Sequence, residues 1–283
     1  MIDVVQGPAT AVDATRVTDT PTAAVMAPLL TGSLFRSDRY HFFPVLASTN
    51  QQAAQLAQAG AAEGTVVVAD QQTQGRGRLG RQWSSPAGVN LYCSVVLRPT
   101  LLPRDAAQLT LLAGVALAHT LTEWGVAGVL IKWPNDLLLQ GRKAAGILTE
   151  MRTDRSGIQH VIVGIGLNVN GQAADLPLEL RDRATSLAES LHSAVCRPPL
   201  LAKLLAQLDH WYGRFGREGF APVRQEWLAC SRLLGQSVGV RLADEQFSGQ
   251  AVALDADGCL LVQRADGMLA RVVAGDVTLL GKE

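Results

Sequence analysis

Residues 71–83 read QQTQGRGRLGRQW, and the assignment of the fold starts from this stretch. It follows a β-branched run at 65–69 (TVVVA), which predicts a buried strand. Its glycines form a formal G-x-G-x-x-G, but a dinucleotide-binding fingerprint also needs a helix opened by the last glycine and an acidic residue about 20 positions later. The segment SSPAG at 84–88 blocks a helix, and residues 98–102 (RPTLL) contain no acid. The sequence therefore disfavours a Rossmann domain.

The same stretch carries a cluster of positive charge, with Arg76, Arg78 and Arg81 close together among glycines. Glycines leave the backbone free to wrap an anion, and a planar guanidinium binds two oxygens of a phosphate or carboxylate at once. A solvated, flexible loop is the alternative interpretation of a bare Gly/Arg run. Trp83 favours a binding site, because an indole can stack on a purine or cap a pocket, whereas packing in the core is the alternative for that residue.

Three segments further along the chain place polar residues at predicted strand ends. KWPND at 132–136 sets a lysine at the end of a strand and holds an Asn–Asp pair in a turn. RKAAGIL at 142–148 places Lys143 beside small residues, where a ligand can approach closely. VGIGLNVN at 163–170 has glycines inside a strand, which usually mark a bulge or the close approach of a ligand or another backbone. Taken singly, these segments also fit an ordinary turn, an exposed lysine and a structural bulge.

Hydrophobic patterning predicts an α+β fold with two domains. Residues 38–232 mix helices and strands, including amphipathic helices over 103–125 and 198–216. Residues 233–283 contain five short apolar runs separated by turns, which predict a small β-barrel. Residues 1–37 show weak periodicity, and we expect them to form a loosely ordered extension.

Composition limits the classes of partner. The 283 residues carry 25 Lys+Arg against 25 Asp+Glu, so zero net charge argues against binding DNA or an anionic membrane through an overall field. The four cysteines form no C-x-x-C pair, which disfavours a disulfide scaffold or a Cys-rich zinc site and fits a reducing compartment. There is no signal-peptide pattern and no apolar run of about 18 residues. We expect a cytoplasmic protein with no DNA or membrane partner and no metal-ligand residues.

The motifs resemble one family in both content and order: the biotin–protein ligases. The resemblance covers about residues 40–283 and rests on STN at 48–50 followed by GRGRLGRQW, KWPND, RKAAGIL and GIGLNVN. It implies a catalytic domain with a mixed sheet flanked by helices, akin to class II aminoacyl-tRNA synthetases. An SH3-like small β-barrel would follow as the C-terminal domain.

The resemblance also implies which residues bind biotin. Neutral polar side chains would hydrogen-bond the ureido end, and a loop arginine with glycine backbone would hold the carboxylate side. The implied residues are Ser48, Thr49 and Gln71 for the ureido end, Arg76 with Gly75 and Gly77 for the carboxylate side, and Asn50, Arg78, Lys143 and Gly146.

The nucleotide is assigned to a second, overlapping set. Lys143 would bridge the biotin carboxylate and the α-phosphate, and Lys143 and Arg78 are the implied catalytic residues. The implied ATP and adenylate contacts are Arg78 and Arg81 for the phosphates, Trp83 and Asn168 for adenine, and Lys132, Asn135 and Asp136 for the adenylate pocket.

The activity implied by the resemblance has two steps. With ATP and Mg²⁺ the enzyme would convert biotin into biotinyl-5′-AMP, and it would then transfer biotin to a lysine of a biotin carboxyl carrier domain. Residues 1–35 are too short and too poorly patterned for a winged helix-turn-helix, so we expect ligase activity without a repressor function. The sequence leaves open whether the protein is a monomer or a homodimer.

Three other functions compete with this hypothesis. A lipoate–protein ligase shares the fold and the adenylation chemistry, although the predicted barrel and the full motif set favour biotin. A DNA-binding regulator that only senses biotin is disfavoured by the zero net charge. A nucleotide-binding module without catalysis is disfavoured because Lys143 accompanies the loop arginines.

Overall fold

The computed structural model describes residues 4–5, 19–242 and 244–280. Helices and strands are interspersed up to residue 229, and only strands follow, as the α+β prediction required. Before residue 235 the elements are β1 (Val4–Val5), α1 (Ala23–Met26), β2 (Tyr40–Leu46), α2 (Thr49–Gln58), β3 (Val66–Gln72), β4 (Leu91–Leu97), α3 (Gln108–Glu123), β5 (Val129–Lys132), β6 (Asp136–Leu139), β7 (Arg142–Asp154), β8 (Gly157–Leu167), α4 (Leu178–Arg181), α5 (Leu187–Leu191), β9 (Ala194–Val195), α6 (Arg197–Glu218) and α7 (Ala221–Ala229).

A mixed sheet forms the centre of the larger domain. Its strand order is β2-β3-β4-β8-β7-β6-β5, with β2 and β3 parallel and every other neighbouring pair antiparallel. Short 3₁₀ turns at Ser37–Arg39, Arg78–Gly80, Pro103–Asp105 and Ala173–Asp175 connect elements. The predicted helix from residue 103 is therefore a 3₁₀ turn followed by α3.

Helices cover both faces of this sheet. The apolar side chains of each strand alternate between the two faces, so both faces are buried. Val67, Val96 and Ile162 pack against α2 on one face. Their neighbours Val66 and Val95 point to the other face and join the main core. There α3 lies between the sheet and the helices α6 and α7, which explains why α3 is buried on nearly all sides. The predicted mixed sheet flanked by helices is confirmed.

The smaller domain is an antiparallel sheet with the strand order β13-β12-β11-β10-β14. Its core is built from alternating apolar residues such as Val238, Val240, Leu260 and Val262, each with no exposed surface. The strands are β10 (Ser237–Arg241), β11 (Gln246–Leu254), β12 (Leu260–Arg264), β13 (Leu269–Val272) and β14 (Asp276–Leu279).

The expectation of a loosely ordered extension is wrong for residues 19–37. Met26 and Phe35 are almost fully buried in the main core. Asp19 accepts hydrogen bonds from the backbone and side chain of Arg197 at 2.9 and 2.7 Å, which fastens the segment to the start of α6. The buried residues are too widely spaced to form a periodic pattern, so the sequence did not reveal them. Residues 1–3 and 6–18 lie outside the described residues.

Strand β2 was also missed, since Pro44 lies within it. A proline has no N–H for a ladder hydrogen bond and is tolerated on an edge strand. The strand order places β2 at one edge of the mixed sheet, where a proline can be accommodated. Among the described residues, no helix combines the length and apolar character needed to cross a membrane.

The packing of Asn50 against Gly164 gives a test of this fold. A Cβ at Gly164 would lie 1.9 Å from Asn50 Oδ1, so Gly164→Ala forces a buried side chain to move. We expect the free energy of unfolding to fall by about 1–3 kcal/mol in urea denaturation. Gly213→Ala in α6 is the control, because its Cβ would meet only the flexible end of Arg217, at 3.4 Å. Equal loss of stability in both variants would contradict this packing.

Candidate active site

Residues 73–83, the glycine-rich loop, fold back on themselves beside the mixed sheet. Gly77 N–H donates to the Arg81 carbonyl at 2.7 Å, and Trp83 N–H donates to the Gly75 carbonyl at 2.9 Å. A Cβ at Gly75 would lie 2.3 Å from the Trp83 carbonyl oxygen, so the turn requires glycine there. At Gly77 the nearest atom to a Cβ would be 3.5 Å away, so this glycine is not sterically required. The loop thus has a defined backbone that presents its arginines.

The Trp83 ring lies over two glycines that face each other on neighbouring strands. Gly146 of β7 pairs with Gly166 of β8 in the sheet register. A Cβ would lie 3.0 Å from the ring at Gly146 and 2.6 Å from it at Gly166. Neither glycine marks a bulge; together they form a flat slot for the indole. Trp83 Nε1 is buried without a hydrogen-bond partner among the described residues.

The side chain of Lys143 borders the same slot. Its Nζ lies 5.3 Å from the centroid of the Trp83 ring, within the range of a cation–π contact. It also lies 2.6 Å from Asp136 Oδ1, which holds the ammonium in place. Because Asp136 and Gly146 pair in the β6–β7 register, the KWPND turn and the RKAAGIL strand meet here. An ammonium, a carboxylate and an aromatic face are therefore adjacent.

The loop arginines contact both domains. The Arg78 guanidinium donates to Asn135 Oδ1 at 3.2 Å and, through both Nη atoms, to the Gly275 carbonyl at 3.2 Å. Arg81 forms an ion pair with Asp276 at the start of β14. The C-terminal domain thus supplies an acceptor and a counter-ion to the glycine-rich loop. Neither Gly275 nor Asp276 was expected from the sequence, because nothing local links residue 276 to a loop almost 200 positions earlier.

Burial and charge act against each other in this cluster. Burial lowers the pKa of Lys132 from its ordinary value, and the nearby Asp136 carboxylate opposes that shift. Burial also lowers the pKa of Arg78, with Asp276 and Asp136 acting in the opposite direction. A guanidinium stays charged in proteins, so the half-buried cations form a positive site balanced by carboxylates. The structure brings together the predicted residues Arg78, Arg81, Trp83, Lys132, Asn135, Asp136, Lys143 and Gly146.

A second polar network lies at the start of α2. Thr49 donates to Gln72 Oε1 from its N–H at 2.8 Å and from its hydroxyl at 3.1 Å. Ser94 Oγ lies 2.8 Å from Thr49 Oγ1. Ser48 is buried at the N-cap position of α2, and its side chain makes no cap hydrogen bond. The Ser48 hydroxyl is therefore not committed to the N-terminus of this helix.

The glutamine in this network is Gln72 and not the predicted Gln71. Gln72 accepts from Thr49 and donates to Ser85 Oγ at 2.9 Å. Within the described residues, the Gln71 side chain makes no such hydrogen bond. Successive residues of a strand point in different directions, and sequence alone could not say which of two adjacent glutamines faces Thr49.

Asn50 also differs from its predicted role. Its Nδ2 donates to the Leu148 carbonyl at 3.1 Å and to Glu150 Oε2 at 2.7 Å. Its Oδ1 lies 2.7 Å from Ser94 Oγ, so every polar atom of the side chain is occupied by protein. Asn50 therefore ties α2 to the sheet, and its contact with biotin stays a prediction.

Two other predicted residues, Arg76 and Asn168, lie at the margin of the charged cluster. Arg76 is exposed, and its backbone forms an isolated bridge with Gln82. Asn168 follows β8 and donates from Nδ2 to the Thr185 carbonyl at 3.0 Å, which leaves its Oδ1 for a further contact. Its N–H donates to the Ala144 carbonyl at 2.8 Å, so it lies next to the strand that carries Lys143.

Comparison with known proteins agrees with this geometry. A sequence model described as the Biotin/lipoate A/B protein ligase family matches residues 42–168, and one described as the Biotin protein ligase C terminal domain matches residues 233–280. The Bifunctional ligase/repressor BirA of Bacillus subtilis is 38% identical over 240 residues, which cover 85% of this chain and 73% of that protein. The chain belongs to the biotin protein ligase family.

Other biotin protein ligases match over most of their length. The biotin–[acetyl-CoA-carboxylase] ligase of Paracoccus denitrificans is 36% identical over 78% of this chain and 92% of its own. The solved structure of the biotin protein ligase from Aquifex aeolicus in complex with biotin and ATP has a TM-score of 0.72 and 31% identity. That similarity covers 85% of this chain and 98% of the other.

The contact between Arg81 and Asp276 can be tested by proteolysis. Asp276→Asn removes the counter-ion, so we expect trypsin to cleave the native protein within residues 76–81 about two- to five-fold faster, the factor that an exposed ion pair of up to about 1 kcal/mol provides. Asp257→Asn is the control, since it removes one partner of Arg271 elsewhere in the same domain. If both variants are cleaved there at the wild-type rate, the C-terminal domain does not hold the loop.

Proposed function

We propose that this protein activates biotin with ATP to biotinyl-5′-AMP and transfers the biotinyl group to a lysine of a biotin carboxyl carrier domain. One observation carries the proposal: Lys143 lies beside the Trp83 ring and the glycine slot, and Arg78 and Arg81 lie in the same charged cluster, in a chain of the biotin protein ligase family. Cations beside an aromatic face suit a ligand that combines phosphates, a carboxylate and a purine.

The first step joins two anions, so its main barrier is electrostatic. A carboxylate oxygen of biotin attacks the α-phosphorus of ATP, the bond to the bridging oxygen breaks, and pyrophosphate leaves. Lys143 would neutralise both the carboxylate and the α-phosphate, and Arg78 and Arg81 would stabilise the negative charge on the departing phosphates. This is catalysis by positioning and charge, and it needs no covalent protein nucleophile.

Asp136 has a positioning role in this scheme. It holds the Lys143 ammonium 2.6 Å away, at the edge of the slot. Asn135 does the same for Arg78, since its Oδ1 accepts from that guanidinium while its Nδ2 is fixed on the Ile147 carbonyl at 2.8 Å. The catalytic cations are therefore preorganised and lose little freedom when the substrates bind.

The ureido end of biotin would bind at the network around Thr49. A urea presents a carbonyl acceptor and N–H donors, and it is neutral. The buried hydroxyls of Ser48 and Thr49 and the amide of Gln72 match those groups without placing a charge in the pocket. Leaving one such buried partner unpaired costs about 1–3 kcal/mol, which favours a ureido ring over an apolar ring of similar size.

Adenine would contact Trp83 and Asn168. The indole offers a flat face, and the free Oδ1 of Asn168 can accept from the exocyclic amine of the base. Mg²⁺ is expected with ATP and would be held mainly by the phosphates, because the nearby carboxylates of Asp136 and Asp276 are engaged by Lys143 and Arg81. When bound, it would neutralise phosphate charge.

The second step needs a carrier lysine as the nucleophile. Its neutral amine attacks the acyl carbon of the mixed anhydride, the acyl–phosphate bond breaks, AMP leaves, and the amine loses a proton to solvent. The names of the Paracoccus denitrificans and Mycobacterium tuberculosis relatives point to a carrier domain of a carboxylase as the acceptor. The cytoplasmic location stays a prediction, and the choice between monomer and homodimer stays open.

The substrate can be tested without any carrier protein. Purified protein with Mg²⁺, ATP and labelled pyrophosphate should exchange label into ATP only when biotin is present. Exchange with lipoate alone would keep the adenylation chemistry but overturn biotin as the substrate. An absence of exchange with both acids would overturn adenylation itself.

The role of Lys143 has its own test in the same assay. We expect Lys143→Ala to slow biotin-dependent exchange by at least about 100-fold, comparable to the loss of one donor to a developing oxyanion. Lys203→Ala is the control. Lys203 of α6 pairs with Glu123 of α3, with Nζ 2.7 Å from Oε2, on the face of the sheet opposite Trp83. An unchanged rate in Lys143→Ala would remove this residue from the first step.

A further inference from the structure

His119, Glu226 and Cys230 form a cluster of metal-ligand side chains that the proposed reaction does not use. His119 Nε2 lies 2.8 Å from Glu226 Oε1, and Cys230 Sγ lies 4.0 Å from the same oxygen. The three ligand atoms all lie within 4.8 Å of one another. His119 comes from α3, whereas Glu226 and Cys230 come from α7 and its C-cap, so the fold alone assembles the cluster.

The spacing suits a single bound ion. Residues four apart on a helix lie on one face, so Glu226 and Cys230 point the same way toward α3. Around tetrahedral zinc, with bonds of about 2.0–2.3 Å, ligand atoms lie about 3.3–3.7 Å from each other. The observed separations of 2.8 and 4.0 Å lie on either side of that range, and all three ligand atoms lie within 4.8 Å of one another.

The surroundings would hold the imidazole and still admit an ion. The His119 ring packs edge-on against the buried Trp211, with centroids 5.3 Å apart. His119 and Glu226 keep 30% and 34% of their side-chain surface exposed, so an ion can enter from solvent. Three protein ligands leave a fourth position for water.

We propose that His119, Glu226 and Cys230 bind one Zn²⁺ ion. A set of imidazole, thiolate and carboxylate favours zinc over the hard cations Mg²⁺ and Ca²⁺, which prefer oxygen ligands alone. On binding, the Cys230 S–H bond breaks, the sulfur bonds to the metal, and the thiol proton leaves to solvent. His119 Nε2 exchanges its hydrogen bond with Glu226 for a bond to the metal, and the ring proton is then carried by Nδ1. Burial raises the pKa of the Cys230 thiol to about 11, so the metal must displace a proton near neutral pH.

The site is separate from the candidate active site. Ile147 of β7 faces Gly114 of α3, whereas its neighbour Gly146 faces Trp83, so α3 and the catalytic pocket lie on opposite faces of the sheet. The Cys230 carbonyl accepts from Ile131 N–H at 2.8 Å, so zinc would link α3 and α7 to strand β5. The expected consequence is a higher melting temperature, and the inference does not rest on the proposed function.

Zinc binding by the full chain tests the proposal. After treatment with a chelator, calorimetric titration with Zn²⁺ should show one ion per chain. Cys230→Ser should weaken this affinity by at least about 100-fold, since even residues outside the ligand shell commonly change affinity by 10–100-fold. Cys196→Ser is the matched control: Cys196 is also half-buried and free, burial also raises its pKa to about 11, and it caps α6 away from this cluster.

A spectroscopic measurement identifies the ligand. Co²⁺ should give a thiolate-to-metal charge-transfer absorption in the wild type and in Cys196→Ser, but not in Cys230→Ser. His119→Gln provides a second variant, and a cooperative thermal unfolding transition in zinc-free buffer, as in the wild type, would show that each variant is folded. An absence of stoichiometric Zn²⁺ binding, or equal affinity in Cys230→Ser and the wild type, would overturn the proposal.

Discussion

Like-charge repulsion is the constraint on which the candidate active site depends. Arg78, Lys132 and Lys143 approach one another in a half-buried setting, where unbalanced cations would be costly, and the exposed Arg81 adds a fourth positive charge beside them. Acceptors from several parts of the chain balance them. The KWPND turn supplies Asn135 and Asp136, and the turn before β14 supplies the Gly275 carbonyl and the Asp276 carboxylate. The cluster of cations therefore draws its acceptors from both domains.

The absence of side chains matters as much as charge in this pocket. Gly146 and Gly166 lie opposite each other on β7 and β8, and the Trp83 ring fills the space that their side chains would occupy. This arrangement sets an aromatic face next to the Lys143 ammonium. Gly164 serves a different purpose two residues earlier, because it makes room for the amide of Asn50, which joins α2 to the sheet. One glycine-containing strand thus shapes the pocket and anchors a helix.

The candidate active site and the main core lie on opposite faces of the mixed sheet. The face that carries Gly146 supports the glycine slot and the cations, whereas the face against α3 forms the main core. Residues 19–37 contribute to that core through Met26 and Phe35, so they are part of the domain and do not merely precede it. The His119–Glu226–Cys230 cluster lies among the helices on the core face. An ion bound there would be separated by the sheet from substrates on the opposite face.

Local sequence was sufficient for the fold class and for most residues of the cluster that the structure brings together, because alternation, glycines and charged motifs report their own surroundings. The β-branched runs predicted strands, and the motifs with the loop arginines and Lys143 predicted polar side chains that the structure brings close together. The local sequence did not indicate which distant segments of the chain are in contact. The direction of a side chain at a strand end decided between Gln71 and Gln72, and the packing of two domains decided that Asp276 meets Arg81. Such pairings arise when hydrophobic burial brings remote residues together, and only the tertiary structure records which ones meet.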